Sequence, residues 1–250
     1  MERRYGYVQD KKDDRDLVCF AAASPVVLPT SVNISSHMPP IYDQGQLGSC
    51  VANAVCAAVE FERSRQKLAD FMPSRLFVYY NARALEGTID QDAGAMIRDG
   101  VKTINWKGVC PERMMPYDIT KFTNKPLMTS YAEAAKHEAV KYARVPQTLD
   151  ALKQCLASGM PFVFGFEVYT EFESTAMAQG AEVLNLPGPH EVLLGGHAVT
   201  AVGYDDAKKA FFIRNSWGAA WGIAGHFWMS YDYIMSNLCS DFWNITLITA

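Results

Sequence analysis

The sequence of 250 residues has no long apolar run, and its charge is nearly balanced. Pro161–Phe166 is among its longest apolar runs, far short of the roughly 20 residues that cross a bilayer. A formal net charge of −4 argues against a mainly electrostatic attachment to nucleic acid or membrane. The charged Met1–Tyr5 and the polar Gln9–Asp16 do not form a signal peptide. We expect no nucleic-acid or membrane partner, and a chain that is cytoplasmic or exported by a route not visible here.

Cysteines and histidines are few, and neither type is clustered. The six cysteines contain no C-x-x-C pair, and the five histidines lack metal-ligand spacing, so we expect no disulfide scaffold, metal or cofactor. Cys56 lies in an apolar stretch, and Cys155 lies in the apolar stripe of a predicted helix. Both are therefore predicted to be buried thiols.

The hydrophobic periodicity changes along the chain, whose 49% apolar and 20% charged content is typical of a soluble globular protein. The first half favours helices and the second half favours short strands, which predicts an α+β fold. Thr148 is the predicted N-cap of the fourth helix, and Gly159 follows its end. The predicted helices are Val51–Phe61, Ser74–Leu85, Gly94–Trp106 and Thr148–Ser158; the predicted strands are Pro161–Val168, Ala198–Tyr204, Ala210–Arg214, His226–Ser230 and Trp243–Thr249, and Leu28–Pro40 is predicted to be extended.

Cys50 stands at the start of the first apolar helix, directly after the sequence Gln44–Ser49. The positive end of a helix dipole and its unpaired N–H groups favour the thiolate, the form of cysteine that attacks a carbonyl carbon. A cysteine at such a position more often only packs in the core. The position of Cys50 therefore indicates a nucleophile only if the chain also supplies a base.

A second group of residues supplies that base. His197 opens a predicted strand after two glycines, and Asn215 follows the next strand, eighteen positions later. Adjacent antiparallel strands would bring the two side chains together. Asn215 could then accept from one imidazole nitrogen while the other nitrogen faces the thiol.

The order and spacing of Cys50, His197 and Asn215 resemble those of the papain/cathepsin superfamily of cysteine peptidases, over roughly residues 28–229. The resemblance implies a papain-like two-lobe fold with the active site in the cleft between the lobes. We expect a helical lobe at about 45–145, and a β-barrel-like lobe at about 146–250 together with 28–42. Further matching motifs are Leu28–Asn33, Gly108–Glu112, Pro116-Tyr117, Val202–Tyr204 and Asn215-Ser216-Trp217-Gly218-x-x-Trp221-Gly222.

The resemblance also implies catalytic roles. Cys50 is expected to be the nucleophile, His197 the base and Asn215 the residue that orients the base. Gln44 matches the glutamine whose side-chain amide forms the oxyanion hole together with the Cys50 backbone N–H.

Four further residues are implied in substrate binding. Gly94 matches a glycine that pairs with substrate backbone, and Ala198 lines the pocket for the second residue before the cut. Trp217 is expected to cover the hydrogen bond between His197 and Asn215. Trp221 is expected to wall the leaving-group side of the cleft.

The sequence departs from the usual family pattern in several places. Leu47 stands where most members have a half-cystine, and Val51 replaces an aromatic residue. Only about 27 residues precede the family-like start, where full-length members have a long helical pro-region. These features resemble a bacterial or viral branch, and the missing bridge suits a reducing compartment. We hypothesise that residues 1–27 form the short pro-segment of a zymogen, lying in or beside the cleft; a frayed terminal tail is the alternative.

The implied activity is hydrolysis of peptide or protein substrates through a thioester acyl-enzyme, by a monomeric thiol protease. We expect an endopeptidase, because the sequence has no inserted histidine-bearing loop that would block one end of the cleft. Two alternatives stay open. One is a catalytically inactive cleft-binding protein, and the other is an acyltransferase that uses the same thiol chemistry with an amine acceptor.

Overall fold

The computed structural model describes residues 4–19 and 27–248, which form an α+β fold. Helices dominate the part before residue 135, and strands dominate the part after it. The helices are α1 (Cys50–Arg65), α2 (Arg75–Glu86), α3 (Ile97–Lys107), α4 (Met128–Ala134), α5 (Leu149–Ala157), α6 (Thr175–Ala178) and α7 (Tyr231–Ile234). The strands are β1 (Tyr7–Val8), β2 (Ser31–Asn33), β3 (Ala95–Met96), β4 (Ala139–Arg144), β5 (Phe162–Tyr169), β6 (Val183–Leu184), β7 (Leu193–Asp205), β8 (Ala210–Arg214), β9 (His226–Ser230) and β10 (Cys239–Ile248).

Helix α1 is the central helix of the protein. Every residue from Cys50 to Arg63 is buried, as expected for a helix that is apolar on all sides. It packs against α2 and α3 on one side and against β5, β7 and β10 on the other. Cys50, at its first turn, therefore lies at the boundary between the helices and the sheet.

The eight-stranded sheet has the order β4-β10-β5-β7-β8-β9-β6, and β2 also pairs with β7. Its pairings are antiparallel except for β6 with β9. In the β7–β8 pair, Thr200 lies opposite Arg214, so the end of β8 comes close to the start of the buried part of β7. This register brings His197 and Asn215 to the same edge of the sheet.

Most predicted elements are confirmed, with shifts at their ends. Thr148 caps α5 by accepting from the Ala151 N–H, and Gly159 follows with a positive φ of 74°. Strand β7 begins at Leu193, five residues before the predicted strand, because its start pairs with the end of β5. The predicted end of the last strand at Thr249 lies outside the described residues.

Two differences have long-range causes. The third helix begins at Ile97 and not at Gly94, because Ala95–Met96 forms β3 and pairs in parallel with β1 from the N-terminal region. Strand β4 falls inside the range expected for the helical lobe but pairs with β10. Neither pairing partner is adjacent in sequence, so local periodicity does not indicate either strand.

All six cysteines are free thiols, so no disulfide bond contributes to the fold. Cys56 and Cys155 are buried, as predicted. None of the helices formed by residues 4–19 and 27–248 is both long enough and apolar enough to cross a membrane.

Candidate active site

His197 and Asn215 form a buried hydrogen bond at the edge of the sheet. The His197 Nε2 atom lies 2.8 Å from Asn215 Oδ1, and the Ser216 backbone N–H donates to the same oxygen at 2.8 Å. Because Oδ1 accepts from Ser216, it is the amide oxygen, so Nε2 carries the proton that it donates. Nδ1 is then the ring nitrogen that can exchange a proton with another group.

Aromatic rings enclose this pair. The ring centroids of Trp217 and His197 are 5.2 Å apart with an interplanar angle of 34°, so the indole covers one side of the imidazole. Trp221 packs edge-on against Trp217 at 5.1 Å and is itself buried. Phe166 and Phe172 also contact the His197 ring, at 5.8 and 6.1 Å. The sequence reasoning missed both phenylalanines; the register that places Phe166 opposite His197 depends on β5–β7 pairing.

Gln44 is fully buried and lies on a loop tied to the Asn215 region. Its backbone N–H donates to Ser216 O at 2.9 Å, and its side-chain Oε1 accepts from Ser216 Oγ at 2.7 Å. The second bond fixes Nε2 as the atom available for donation. Tyr117 holds the loop from the other side, donating to Gln44 O at 2.9 Å and bonding Ser49 Oγ at 2.5 Å. Tyr117 thus joins the Gln44 loop to Ser49, a contact that the motif alone did not indicate.

Cys50 is fully buried at the start of α1. Burial raises the pKa of the Cys50 thiol to about 11 and outweighs the backbone N–H groups of Ala198, Gly6, Val51 and Cys50 itself, which lower it. Ala198 follows His197 in β7, so the thiol lies beside the histidine-bearing strand. In this closed form the buried environment opposes the thiolate that the helix start favours.

The N-terminal segment, residues 4–19, covers the thiol. Tyr7–Val8 pairs in parallel with Ala95–Met96, and the Ala95 N–H donates to Gly6 O at 2.8 Å. Gly6 fits only because it lacks a side chain, since a Cβ there would lie 1.7 Å from Gly48 O. The segment thus lies against Gly94, the residue expected to pair with substrate backbone, whose own added Cβ would come within 2.2 Å of Gly6 O.

Arg4 and Tyr5 extend this cover over the other site residues. Gln44 Nε2 donates to the Arg4 backbone oxygen at 3.3 Å, in addition to Leu47 O at 3.0 Å. The Tyr5 ring lies 5.9 Å from the His197 ring and 6.2 Å from Trp217, and its hydroxyl donates to Glu173 at 2.5 Å. A backbone carbonyl of the chain itself therefore occupies the Gln44 donor.

Five charged side chains attach the segment to the rest of the protein. We call them the ionic cluster: Asp10, Asp16, Arg98, Arg144 and Asp241. Arg144 donates to all three carboxylates, at 2.9 Å to Asp10, 2.7 Å to Asp16 and 3.0 Å to Asp241. The Arg98 guanidinium donates to Asp16 at 2.6 Å, and its backbone N–H donates to Asp10 at 3.0 Å. Only Asp10 and Asp16 belong to the segment, so the cluster joins the segment to α3, β4 and β10.

Asp10 is the most buried carboxylate of the ionic cluster, and Trp243 Nε1 also donates to it at 2.8 Å. Burial raises the pKa of Asp10 to about 6, and the neighbouring Asp241 adds to that rise. Hydrogen bonds from Trp243 and Arg98 and the charge of Arg144 act in the opposite direction. The Asp10 carboxyl is therefore a weaker acid when the segment is bound than it would be in a free chain.

Within the described part of the chain, no three His, Cys, Asp or Glu side chains come together as possible metal ligands. The chemistry available at this edge of the sheet is that of a thiol, an imidazole, an amide pair and backbone N–H groups.

Comparisons with known proteins agree with this geometry. Residues 28–241 match the family described as papain family cysteine protease. An uncharacterized peptidase C1-like protein of Acanthamoeba polyphaga mimivirus is 41% identical, over 100% of this chain and 88% of that protein. The structure of xylellain, a cysteine protease from Xylella fastidiosa, has a TM-score of 0.85 at 42% identity, over 100% of this chain and 99% of that one. ProCathepsin B S9 of Trypanosoma congolense has the same fold, with a TM-score of 0.78 at 16% identity over 98% and 86% of the two chains.

The chain belongs to the papain family of cysteine proteases. It is a hydrolase that acts on peptide or protein substrates, and its α+β fold is the papain-like fold expected from the sequence. The expected likeness to bacterial and viral members is confirmed by the two relatives that match over the whole chain.

Proposed function

We propose that the protein is a latent endopeptidase whose nucleophile is Cys50, whose base is His197 and whose base-orienting residue is Asn215. The Cys50 sulfur attacks a peptide carbonyl carbon, and His197 transfers the thiol proton to the leaving amine. Water, deprotonated by His197, then hydrolyses the thioester and restores the thiol. Gln44 Nε2–H and the Cys50 backbone N–H stabilise the oxyanion of both steps.

The observation that carries this proposal is the peptide carbonyl already bound at Gln44. Gln44 Nε2 donates to Arg4 O, while the Gly6 N–H reaches the Cys50 thiol, so a stretch of backbone lies against the proposed nucleophile and oxyanion donor. The same groups that would receive a substrate are engaged by the chain itself. This supports both the role of Gln44 and the closed state of the site.

The binding roles proposed for the remaining site residues follow the same geometry. Gly94 lies along the bound backbone, and Trp217 covers the imidazole where Tyr5 also packs. Ala198 presents its backbone N–H to the thiol, and Trp221 supports Trp217. We propose that substrate backbone follows Gly94 and that its leaving-group side passes over Trp217, once the segment has moved away.

Labelling with an epoxide inhibitor of thiol proteases tests the proposal, with intact and peptide mass spectrometry on wild type and Cys50→Ala. We expect one label per chain, located on Cys50 and absent from the variant. Cys155→Ala is the matched control, because Cys155 is a buried thiol in α5 that packs in a different core cluster from Cys50, so its removal should leave labelling unchanged.

The rate of labelling tests the latency. We expect Arg4→Ala and Tyr5→Ala to be labelled faster than wild type, because both changes remove contacts that hold the N-terminal segment over the thiol. Labelling that is absent from every form would contradict the nucleophile and favour a binding protein. If wild type is labelled fast and both variants are labelled at the same rate, the N-terminal segment does not limit access to Cys50.

A further inference from the structure

Asp92 is a nearly buried carboxylate beside the loop that precedes Cys50. Its side chain is only 13% exposed, and both oxygens accept from the Gly48 N–H, at 3.0 and 3.1 Å. Tyr79 donates its hydroxyl to Oδ1 at 2.5 Å. Gly48 is two residues before the proposed nucleophile, so Asp92 holds the loop that leads into Cys50.

Asp92 also lines an open pocket of about 400 Å³ between the loop and the residues around Ile119 and Phe122. Arg4 lines the same pocket, and its guanidinium lies 3.7 Å from Asp92 Oδ2. The backbone oxygen of the same residue accepts from Gln44 Nε2. One arginine therefore places its carbonyl at the proposed oxyanion donor and its cationic side chain at Asp92.

Asp92 loses the cation nearest to its Oδ2 when the segment leaves, because that cation is Arg4. Arg83 also lies near Asp92 and offsets part of its charge, but the Arg83 guanidinium donates to the backbone oxygens of Tyr79, Ile89, Gln91 and Phe122. Once Arg4 has moved out, the pocket exposes a fixed, partly desolvated negative charge, which attracts a cationic side chain more strongly than a fully hydrated one would.

We propose that Asp92 is a specificity-determining residue that binds an arginine or lysine side chain of the substrate, on the residue whose carbonyl is attacked. This inference rests on the proposed role of Cys50 as nucleophile. Arg4 would then be an internal stand-in for the substrate side chain, so a single carboxylate would both hold the closed form and select the substrate. The competing view is that Asp92 only supports the loop through Gly48 and Tyr79.

Four peptidyl acyloxymethyl ketones that differ only in the residue next to the reactive carbon test the proposal on the full chain. That residue is arginine, lysine, citrulline or glutamine; citrulline has the shape of arginine without its charge. Attack by the thiolate forms a thioether at the methylene carbon and releases the carboxylate, so the label stays on Cys50. Opening of the segment changes the labelling rates of all four probes by the same factor, so this factor cancels in the ratio of any two rates.

We expect the arginine probe to label wild type about fivefold faster than the citrulline probe. Asp92→Asn keeps an acceptor for Gly48 and Tyr79 but removes the charge, so the ratio should fall to about one. Asp90→Asn is the matched control, because Asp90 is exposed two residues away and should leave the ratio unchanged. Arg4→Ala should raise all four rates together.

The outcomes are distinguishable. Equal labelling by arginine and citrulline probes on wild type overturns the role of Asp92 but leaves Cys50 as nucleophile. A preference for arginine that survives in Asp92→Asn also overturns it, because another group must then supply the charge. Labelling of Cys50 by none of the probes overturns the proposed function, and the specificity inference with it.

Discussion

The protein buries two polar clusters that are built in opposite ways. The pair His197 and Asn215, with Gln44 and Ser216, consists of groups without charge pairs, joined by hydrogen bonds under aromatic rings. The ionic cluster consists of three carboxylates and two guanidinium groups around Arg144. The first is assembled from β7, the loop after β8 and the loop before α1, whereas the second joins the N-terminal segment to α3, β4 and β10.

The difference teaches how each cluster responds to change. A neutral hydrogen-bonded pair loses one interaction when it is altered and leaves no unpaired charge behind. A buried charge cluster leaves uncompensated charges when one member is removed, which typically costs about 3–5 kcal/mol. We therefore expect changes in the first cluster to affect chemistry and changes in the second to affect the position of the N-terminal segment.

His197→Ala should have the largest effect, because it removes the group that accepts the thiol proton. We expect the rate of Cys50 labelling at neutral pH to fall by about 10³-fold. His190→Ala is the control, since His190 is exposed and should leave the rate unchanged. Equal rates in His197→Ala and wild type would remove His197 from the mechanism.

Arg144→Met should open the site without touching it. The methionine keeps the packing of the stem, while Asp10 and Asp241 lose their guanidinium partner. A penalty of about 3 kcal/mol on the closed form corresponds to roughly a 100-fold faster labelling of Cys50. Arg15→Met is the control, because Arg15 is 87% exposed and its ion pair is with Asp13 of the same segment. An equal increase in both variants would mean that the cluster is not what holds the segment.

Rising pH should loosen the segment. The pKa of Asp10 is about 6 in the closed form and near its ordinary value of 3.8 in a released chain. The closed form thus binds the proton more tightly, so this stabilisation is complete below about pH 4 and is lost as pH rises through about 6. The upper bound is about 3 kcal/mol. The raised pKa of Cys50 acts in the same direction at higher pH.

Hydrogen exchange of the Tyr5–Asp10 amides, corrected for the intrinsic rate, measures this effect between pH 4.5 and 7.5. Protection should decrease with pH in wild type and should depend much less on pH in Asp10→Asn. Protection that increases with pH would reverse the sign and contradict the assignment to Asp10.

Tyr5→Phe should have the smallest effect. It keeps the ring beside His197 and Trp217 and removes only the hydroxyl that donates to the exposed Glu173. One such hydrogen bond contributes about 1 kcal/mol, so the labelling rate should rise by no more than about fivefold. A rise as large as that of Tyr5→Ala would show that the hydroxyl, and not the ring, holds this part of the cover.

The two clusters also differ in how far the sequence predicts them. Cys50, His197 and Asn215 stand in motifs that mark a helix start and two strand ends, and β7–β8 pairing is a local antiparallel hairpin. The proximity of His197 and Asn215 could therefore be predicted from the strands, whereas the place of Cys50 beside them was implied by the family resemblance. Asp10, Arg144 and Asp241 stand in no motif, and their contacts join residues 97 to 134 positions apart. The same holds for β1 and β3, whose parallel pairing depends on where the segment docks.

Phe166 and Phe172 are site residues that the sequence alone does not predict. Both look like ordinary core residues in the sequence, and only the register of β5 against β7 and the turn at Thr170–Glu173 place them around the imidazole. Aromatic residues serve packing and site enclosure equally well, so composition does not separate the two uses.

The segment that covers Cys50 is part of the same chain, and this sets the conditions under which it can be displaced. A tethered ligand is present at its site at an effective concentration on the order of millimolar, however dilute the protein is. A peptide offered at micromolar concentration competes at roughly a thousandfold disadvantage. A single cut between the segment and the domain would abolish that advantage, and the released piece would then be lost by dilution alone.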